Sequence, residues 1–349
     1  MKKSLLIIFV LIIFLAVTAL LIKNPAGDKS ETESSSAMES SSSTTAKPQT
    51  TVFETQTTTA LVTETSVATT VAKTSATTVP TTKKVDNLLV VTGAPDPNAG
   101  TYTGYKPLPS IKFTVTDPNN SRGLSEKATG FGFGLGKNGS RPTQSINNQK
   151  MLDKYNALAL DVKSQGKVLY LSFDCGYENG YTGKILDTLK AKKVPAAFFC
   201  TLPFIRQQPA LVTRMIKEGH IVGNHSDTHP VFPNISRTEM AKEVQTCDNY
   251  LRTKFGYTAP YFRFPTGSYS DNSLDLVQSL GFQSVFWSVA YADWDPAKQK
   301  GTQYALDTVT SRLHPGAVIL LHAVSKDNTA ALGDIVDWAR AQGYVFRAL

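Results

Sequence analysis

From Val168 to Leu349 the chain alternates short apolar runs with amphipathic segments, and few folds accommodate that rhythm. VLYLSF, VPAAFFC, HIVGNH, YFRFP, QSVFWSV, AVILLH and YVFRA read as strands, because β-branched and aromatic residues fill runs of strand length. Between them YTGKILDTLKAKK sets Ile185, Leu186 and Leu189 at helix spacing. PALVTRMIKEG and RTEMAKEVQTCDNYLRTKFG are further helices, closed by Gly219 and Gly256. NSLDLVQSLG, QYALDTVTSRL and LGDIVDWARAQG complete the set. About seven strand–helix units predict parallel strands with right-handed crossovers, hence an α/β barrel or a doubly wound sheet. No G-x-G-x-x-G follows the first strand, which argues against a dinucleotide fold.

The tips of these strands carry polar residues. The first ends in Asp174, Cys175 and Gly176. A carboxylate at the end of a buried strand costs free energy unless a cation compensates it. In α/β folds that end is also where active sites gather. The third strand ends in His225-Ser226-Asp227-Thr228-His229. Two imidazoles four residues apart share one face of a helical turn and can hold one metal ion. Arg263, set among aromatics in YFRFP, needs a carboxylate, with Asp174 and Asp293 as the candidates. Trp294 follows Asp293 and is either a sugar platform or core. His322 ends AVILL and is a candidate general acid.

The remainder of the chain is of different material. Lys2 and Lys3 precede an apolar run, Leu5 to Ile22, broken only by Thr18. At helical rise it reaches roughly 27 Å, most of a bilayer core. Residues 1–23 are expected to be an uncleaved anchor with the rest of the chain outside; a cleaved signal peptide is the alternative. Residues 24–84, rich in Ser and Thr, are expected to be a disordered linker. Residues 85–147 form a lead-in of undetermined fold, in which LLVVT and IKFTV look like strands and FGFGLGKNGSRPT packs on the globular part. That globular part covers 148–349.

Charge excludes little. The net +8 is spread out, and there is no basic helix or nucleic-acid motif, so nucleic acid is not an expected partner. Three cysteines do not make a disulfide framework. Cys247 falls in a helical pattern, and Cys200 is core or a neighbour of Cys175.

Taken together, SFDCG, HSDTH, RFPTG, the region ending Asp293-Trp294 and ILLH resemble the five ordered motifs of the polysaccharide deacetylases, carbohydrate esterase family 4. The resemblance spans about residues 165–349. It implies a distorted (β/α) barrel with fewer than eight full units and metal-dependent removal of N-acetyl groups from an amino sugar. It implies Asp174 as base, Arg263 as its partner, His225 and His229 as metal ligands and His322 as acid. Tyr177, Thr266 and Trp294 are the expected substrate contacts.

Two positions depart from the family pattern. Cys175 stands where most members keep a metal-binding aspartate. The site is then either a two-His, one-Cys zinc site or one in which Cys175 does not ligate. Ala290 stands where most members begin the fourth motif with an aspartate that tunes the acid histidine, and Asp293 is the nearest substitute. These departures, with GYENGYTGKIL and HPGAVILLHAVSKDN, resemble the branch of delta-lactam-forming muramic acid deacetylases, which acts on N-acetylmuramic acid in peptidoglycan. The expected substrate is therefore peptidoglycan, the expected cofactor a divalent metal such as zinc, and the expected location the outer side of the cell membrane. The rival readings are a saccharide-binding module that has lost catalysis and a deacetylase of chitin oligomers or another polysaccharide.

Overall fold

The computed structural model describes residues 94–349. The anchor expected over 1–23, the linker over 24–84 and the LLVVT strand lie outside the described residues. Among the described residues no helix is long and apolar enough to cross a membrane.

In chain order the elements are β1 (Thr129–Gly130), α1 (Thr143–Leu152), β2 (Val168–Cys175), α2 (Thr182–Lys192), β3 (Ala196–Cys200), α3 (Leu202–Gln207), α4 (Pro209–Lys217), β4 (Ile221–Asn224), α5 (Arg237–Phe255), β5 (Tyr261–Phe262), β6 (Ser268–Tyr269), α6 (Asp271–Ser279), β7 (Gln283–Ser284), α7 (Thr302–Thr310), β8 (Ala317–His322), α8 (Lys326–Ala341) and β9 (Val345–Arg347). Seven strands form one parallel sheet in the order β7-β5-β4-β3-β2-β8, with β9 also beside β2. β8 follows one edge of β2 over Leu169–Asp174. The other edge is shared, β3 taking Leu171–Cys175 and β9 taking Val168–Tyr170. Beyond β7 the chain returns to the free edge of β8, where Val289 bridges Ile319 in parallel. The sheet is curled and its strands are linked through helices, so β2 and β3 are buried on nearly every residue.

The expected βα rhythm holds, with shorter strands at one side. YFRFP contributes only Tyr261 and Phe262, because Pro265 has no N–H for a ladder. QSVFWSV contributes Gln283 and Ser284, and its later residues pair singly, Val285 with Leu158 and Val289 with Ile319. Helices α1 and α3 are additions to the expected set.

The lead-in differs most from expectation. IKFTV is not a strand. Its backbone is held by side chains of α5: Ile111 N–H donates to Asn249 Oδ1 at 2.8 Å and Phe113 N–H to Gln245 Oε1 at 2.7 Å. Asn249 Nδ2 returns a bond to Ile111 O at 2.8 Å. Residues four apart on a helix face thus serve residues two apart on an extended chain. Buried Arg237, at the start of α5, clamps the same segment by donating to Thr116 O, Asn272 Oδ1 and Asp275. Further along, β1 pairs antiparallel with β6, and Phe131 stacks on Phe286 at 4.4 Å.

Candidate active site

The C-terminal ends of β2, β4, β5 and β8 bring Asp174, His225, Arg263 and His322 to one rim. Asp174 and His322 are direct cross-strand neighbours. Asp174, His225 and His322 line a cavity of about 700 Å³ together with His229, Tyr177, Thr266 and Trp294.

Arg263 is fully buried and sits behind the cavity. Its Nη1 donates to Asp174 Oδ1 at 2.7 Å, its Nη2 to Ser172 Oγ at 2.9 Å and its Nε to Val285 O at 3.0 Å. Of the two expected partners, the structure selects Asp174. The guanidinium stacks over the Phe199 ring at 4.0 Å. Gly223 makes that stack possible: a Cβ there would lie 2.5 Å from Phe199 Cδ1. Burial alone would raise the Asp174 carboxyl, but Arg263, then His225 and His322, outweigh it and hold the group below the ordinary aspartate value.

His225 and His229 do not share a helical turn as expected. The segment is a loop, with Ser226 at φ 72° and His229 at φ 61°. The loop still brings the two rings together, 4.8 Å between centroids. His225 Nδ1 bonds to Arg263 O at 2.8 Å, which fixes the tautomer and leaves Nε2 as an acceptor, 3.7 Å from Asp174 Oδ2. Burial pushes the His225 imidazole down to about 4, so it is neutral and can ligate near pH 7. The two imidazoles are the donors here that would suit a divalent cation, while the Asp174 carboxylate is engaged by Arg263. Among the described residues no group of three or more His, Cys, Asp or Glu is arranged to hold a metal ion.

Cys175 is the correction. Strand residues alternate faces, and Asp174 takes the cavity side. Cys175 falls on the opposite side with Phe173 and Leu171, fully buried in the apolar core. It neighbours Cys200 across the ladder, and all three thiols are free. Burial, then the Cys200 neighbour, pushes the Cys175 thiol well above its ordinary value.

His322 and Asp293 form the second dyad. Asp293 is buried, its Oδ1 2.7 Å from His322 Nδ1, while its Oδ2 accepts from His322 N–H at 2.8 Å and Asn328 Nδ2 at 2.5 Å. Tyr291 O–H donates to Asn328 Oδ1 at 2.5 Å and extends the chain. Burial alone would lower the His322 imidazole; the Asp293 hydrogen bond and charge outweigh it and raise the group above its ordinary value. His322 Nε2 is left for a ligand in the cavity.

Trp294 and Tyr177 are exposed at the cavity, 58% and 50%, so Trp294 is not core. Its ring centre lies 6.0 Å from that of His322. Thr266 holds the left-handed conformation, φ 57° and ψ 4°, at the cavity wall. Four participants were not foreseen. Phe131 and Phe133 reach the cavity from the lead-in, and Asn328 supports Asp293. Ser172 could have been found, since it shares the Asp174 face of β2 at a spacing of two.

A model of the polysaccharide deacetylase family matches residues 161–285. The peptidoglycan-N-acetylmuramic acid deacetylase PdaA of Bacillus subtilis is 40% identical over 220 residues, 63% of this chain and 83% of that protein. The chain belongs to the polysaccharide deacetylase family. A Geobacillus stearothermophilus protein of uncharacterised function is 42% identical over 66% of this chain and 86% of its own. Among solved structures, Bacillus subtilis PdaA, a family 4 carbohydrate esterase, superposes with a TM-score of 0.61 at 39% identity, covering 64% of this chain and 96% of that one. A family 4 carbohydrate esterase from Bacillus anthracis gives 0.53 at 37% identity, over 64% and 95%.

Proposed function

We propose that this deacetylase removes N-acetyl groups from amino sugars of peptidoglycan, with N-acetylmuramic acid its favoured sugar. The observation that carries the reading is a pair of oppositely tuned groups in one cavity: Asp174, bonded to Arg263 and shifted down, and His322, bonded to Asp293 and shifted up. Similarity to PdaA, a peptidoglycan-N-acetylmuramic acid deacetylase, supports the polymer and the sugar.

In this reading Asp174 takes the proton of the attacking water, and Arg263 keeps it oriented. His322 gives its Nε2 proton to the departing amine while Asp293 steadies the imidazolium. Trp294 and Tyr177 offer aromatic faces to the sugar rings, and the Thr266 backbone is assigned to the oxyanion. His225 and His229 would hold a divalent cation, zinc being favoured, which when bound polarises the acetamide carbonyl and acidifies water. The same reading puts residues 148–349 outside the cell, carried on the apolar segment within 1–23 or released from it.

The test is acetate release from peptidoglycan glycan strands by the purified chain, with zinc or cobalt and after chelation. Release that is lost on chelation and restored by metal is expected. No acetate from any amino-sugar polymer would overturn the reading.

A further inference from the structure

Arg312 is a charge in the cavity that the reaction above does not use. It lies just beyond α7, half-buried, and lines the same cavity as Asp174 and His322. Its Nη1 donates to the backbone carbonyl of Ala290. Among the described residues no carboxylate lies within salt-bridge distance of it. The other charges of the cavity are matched, Asp174 by Arg263 and His322 by Asp293. A guanidinium carries five N–H donors in a planar fork, and the Ala290 carbonyl occupies one. What remains suits a carboxylate, which such a fork binds with two parallel hydrogen bonds.

Ala290 lines the cavity beside Arg312, to which its carbonyl is bonded. A carboxylate on residue 290 would stand within reach of the guanidinium and neutralise it. A methyl group leaves the positive charge to the ligand, and Asp293 already serves His322 without help from residue 290.

We propose that Arg312 reads a carboxylate carried by the substrate sugar itself, the 3-O-lactyl carboxylate that an N-acetylmuramic acid ring has and an N-acetylglucosamine ring lacks. Arg312 is then a specificity residue, and Ala290 keeps its charge available. The inference rests on the deacetylase reading and deepens it.

The experiment compares three glycan probes with the full chain: strands stripped of peptide, with free lactyl carboxylates; the same strands with those groups converted to methylamides; and strands that keep their peptides. The expected kcat/KM ratio of free carboxylate to methylamide is about tenfold or more, expressed mainly in KM. Arg312→Gln and Ala290→Asp each bring that ratio close to one, and Arg312→Lys restores part of it. An equal loss on both probes in Arg312→Gln, or no discrimination by the unaltered chain, overturns the proposal. A preference for peptide-bearing strands that depends on Arg312 also overturns it, because the carboxylate read would be the peptide's. Titration of the full chain with N-acetylmuramic acid and with its methylamide, followed by NMR, reads the same contact as binding. If no acetate is released at all the deacetylase reading fails, while loss of the binding preference in Arg312→Gln still reports on this one.

Discussion

Replacing Asp293 by asparagine isolates the electrostatic role of the second dyad at nearly constant shape. Asp293 accepts three hydrogen bonds, from His322 Nδ1 and its backbone N–H and from Asn328 Nδ2. If the oxygen of the introduced amide keeps the ring bond, its NH2 group faces the two donors that meet at Oδ2. Each orphaned donor costs about 1–3 kcal/mol, so the melting temperature falls. The imidazolium also loses a charge-assisted bond in favour of a neutral one, a difference of about 1–2 kcal/mol, or roughly five- to thirtyfold in its population at fixed pH. The sign follows from the direction of the shift. The His322 pKa is raised in the folded protein, so its acid form, and the stability it lends, are complete below the ordinary histidine range and are lost as pH rises through the folded value. Without the Asp293 charge the alkaline limb of the pH–rate profile moves to lower pH, and at a fixed pH on that limb the rate drops by the same five- to thirtyfold, roughly, as the imidazolium population. Initial rates of acetate release across pH 5 to 10, with melting curves to confirm folding, measure both. An alkaline limb that stays in place, or moves upward, refutes the assignment of His322 as acid.

Other variants test the rest of the site. Asp174→Ala leaves Arg263 buried without a counter-charge and is expected to lose about 3–5 kcal/mol of stability along with activity. Adding Arg263→Met should return much of the stability and none of the activity, as read by urea unfolding and acetate release. Cys175→Ala is expected to leave zinc affinity within a few-fold and to cost about 1 kcal/mol for the lost core sulfur; a ten- to hundredfold drop in affinity by calorimetry would return Cys175 to the ligand set. Gly223→Ala pushes on Phe199 and through it on the Arg263 guanidinium, so about 1–3 kcal/mol of stability and a measurable part of kcat should go together.

Much of this site was legible because the parallel sheet writes itself in the sequence. An apolar run that stops at a polar residue marks a strand tip, and Asp174, His225 and His322 each follow such a run. Arg263 between aromatics announced its need for a buried carboxylate. Cys175 was harder: proximity to Asp174 in sequence suggested proximity in space, whereas the two-residue pleat sends adjacent side chains to opposite faces. The His225 and His229 rings lie together, 4.8 Å between centroids, although a loop with left-handed residues rather than a helical turn brings them there. The lead-in was not legible because its order comes from Gln245, Asn249 and Arg237, more than a hundred residues away along the chain, and no local pattern records such contacts.

Those ties also say where the working enzyme begins. Phe131 and Phe133 wall the cavity, and the segment before them is stitched along α5 from Tyr102 to Phe113. The family match starts at 161 and stops at 285, short of Asp293, Arg312 and His322. A fragment cut to the matched stretch would lack His322 and one wall of its cleft, and a fragment begun at 148 would lose that wall. Recombinant versions should keep the segment from Tyr102 onward.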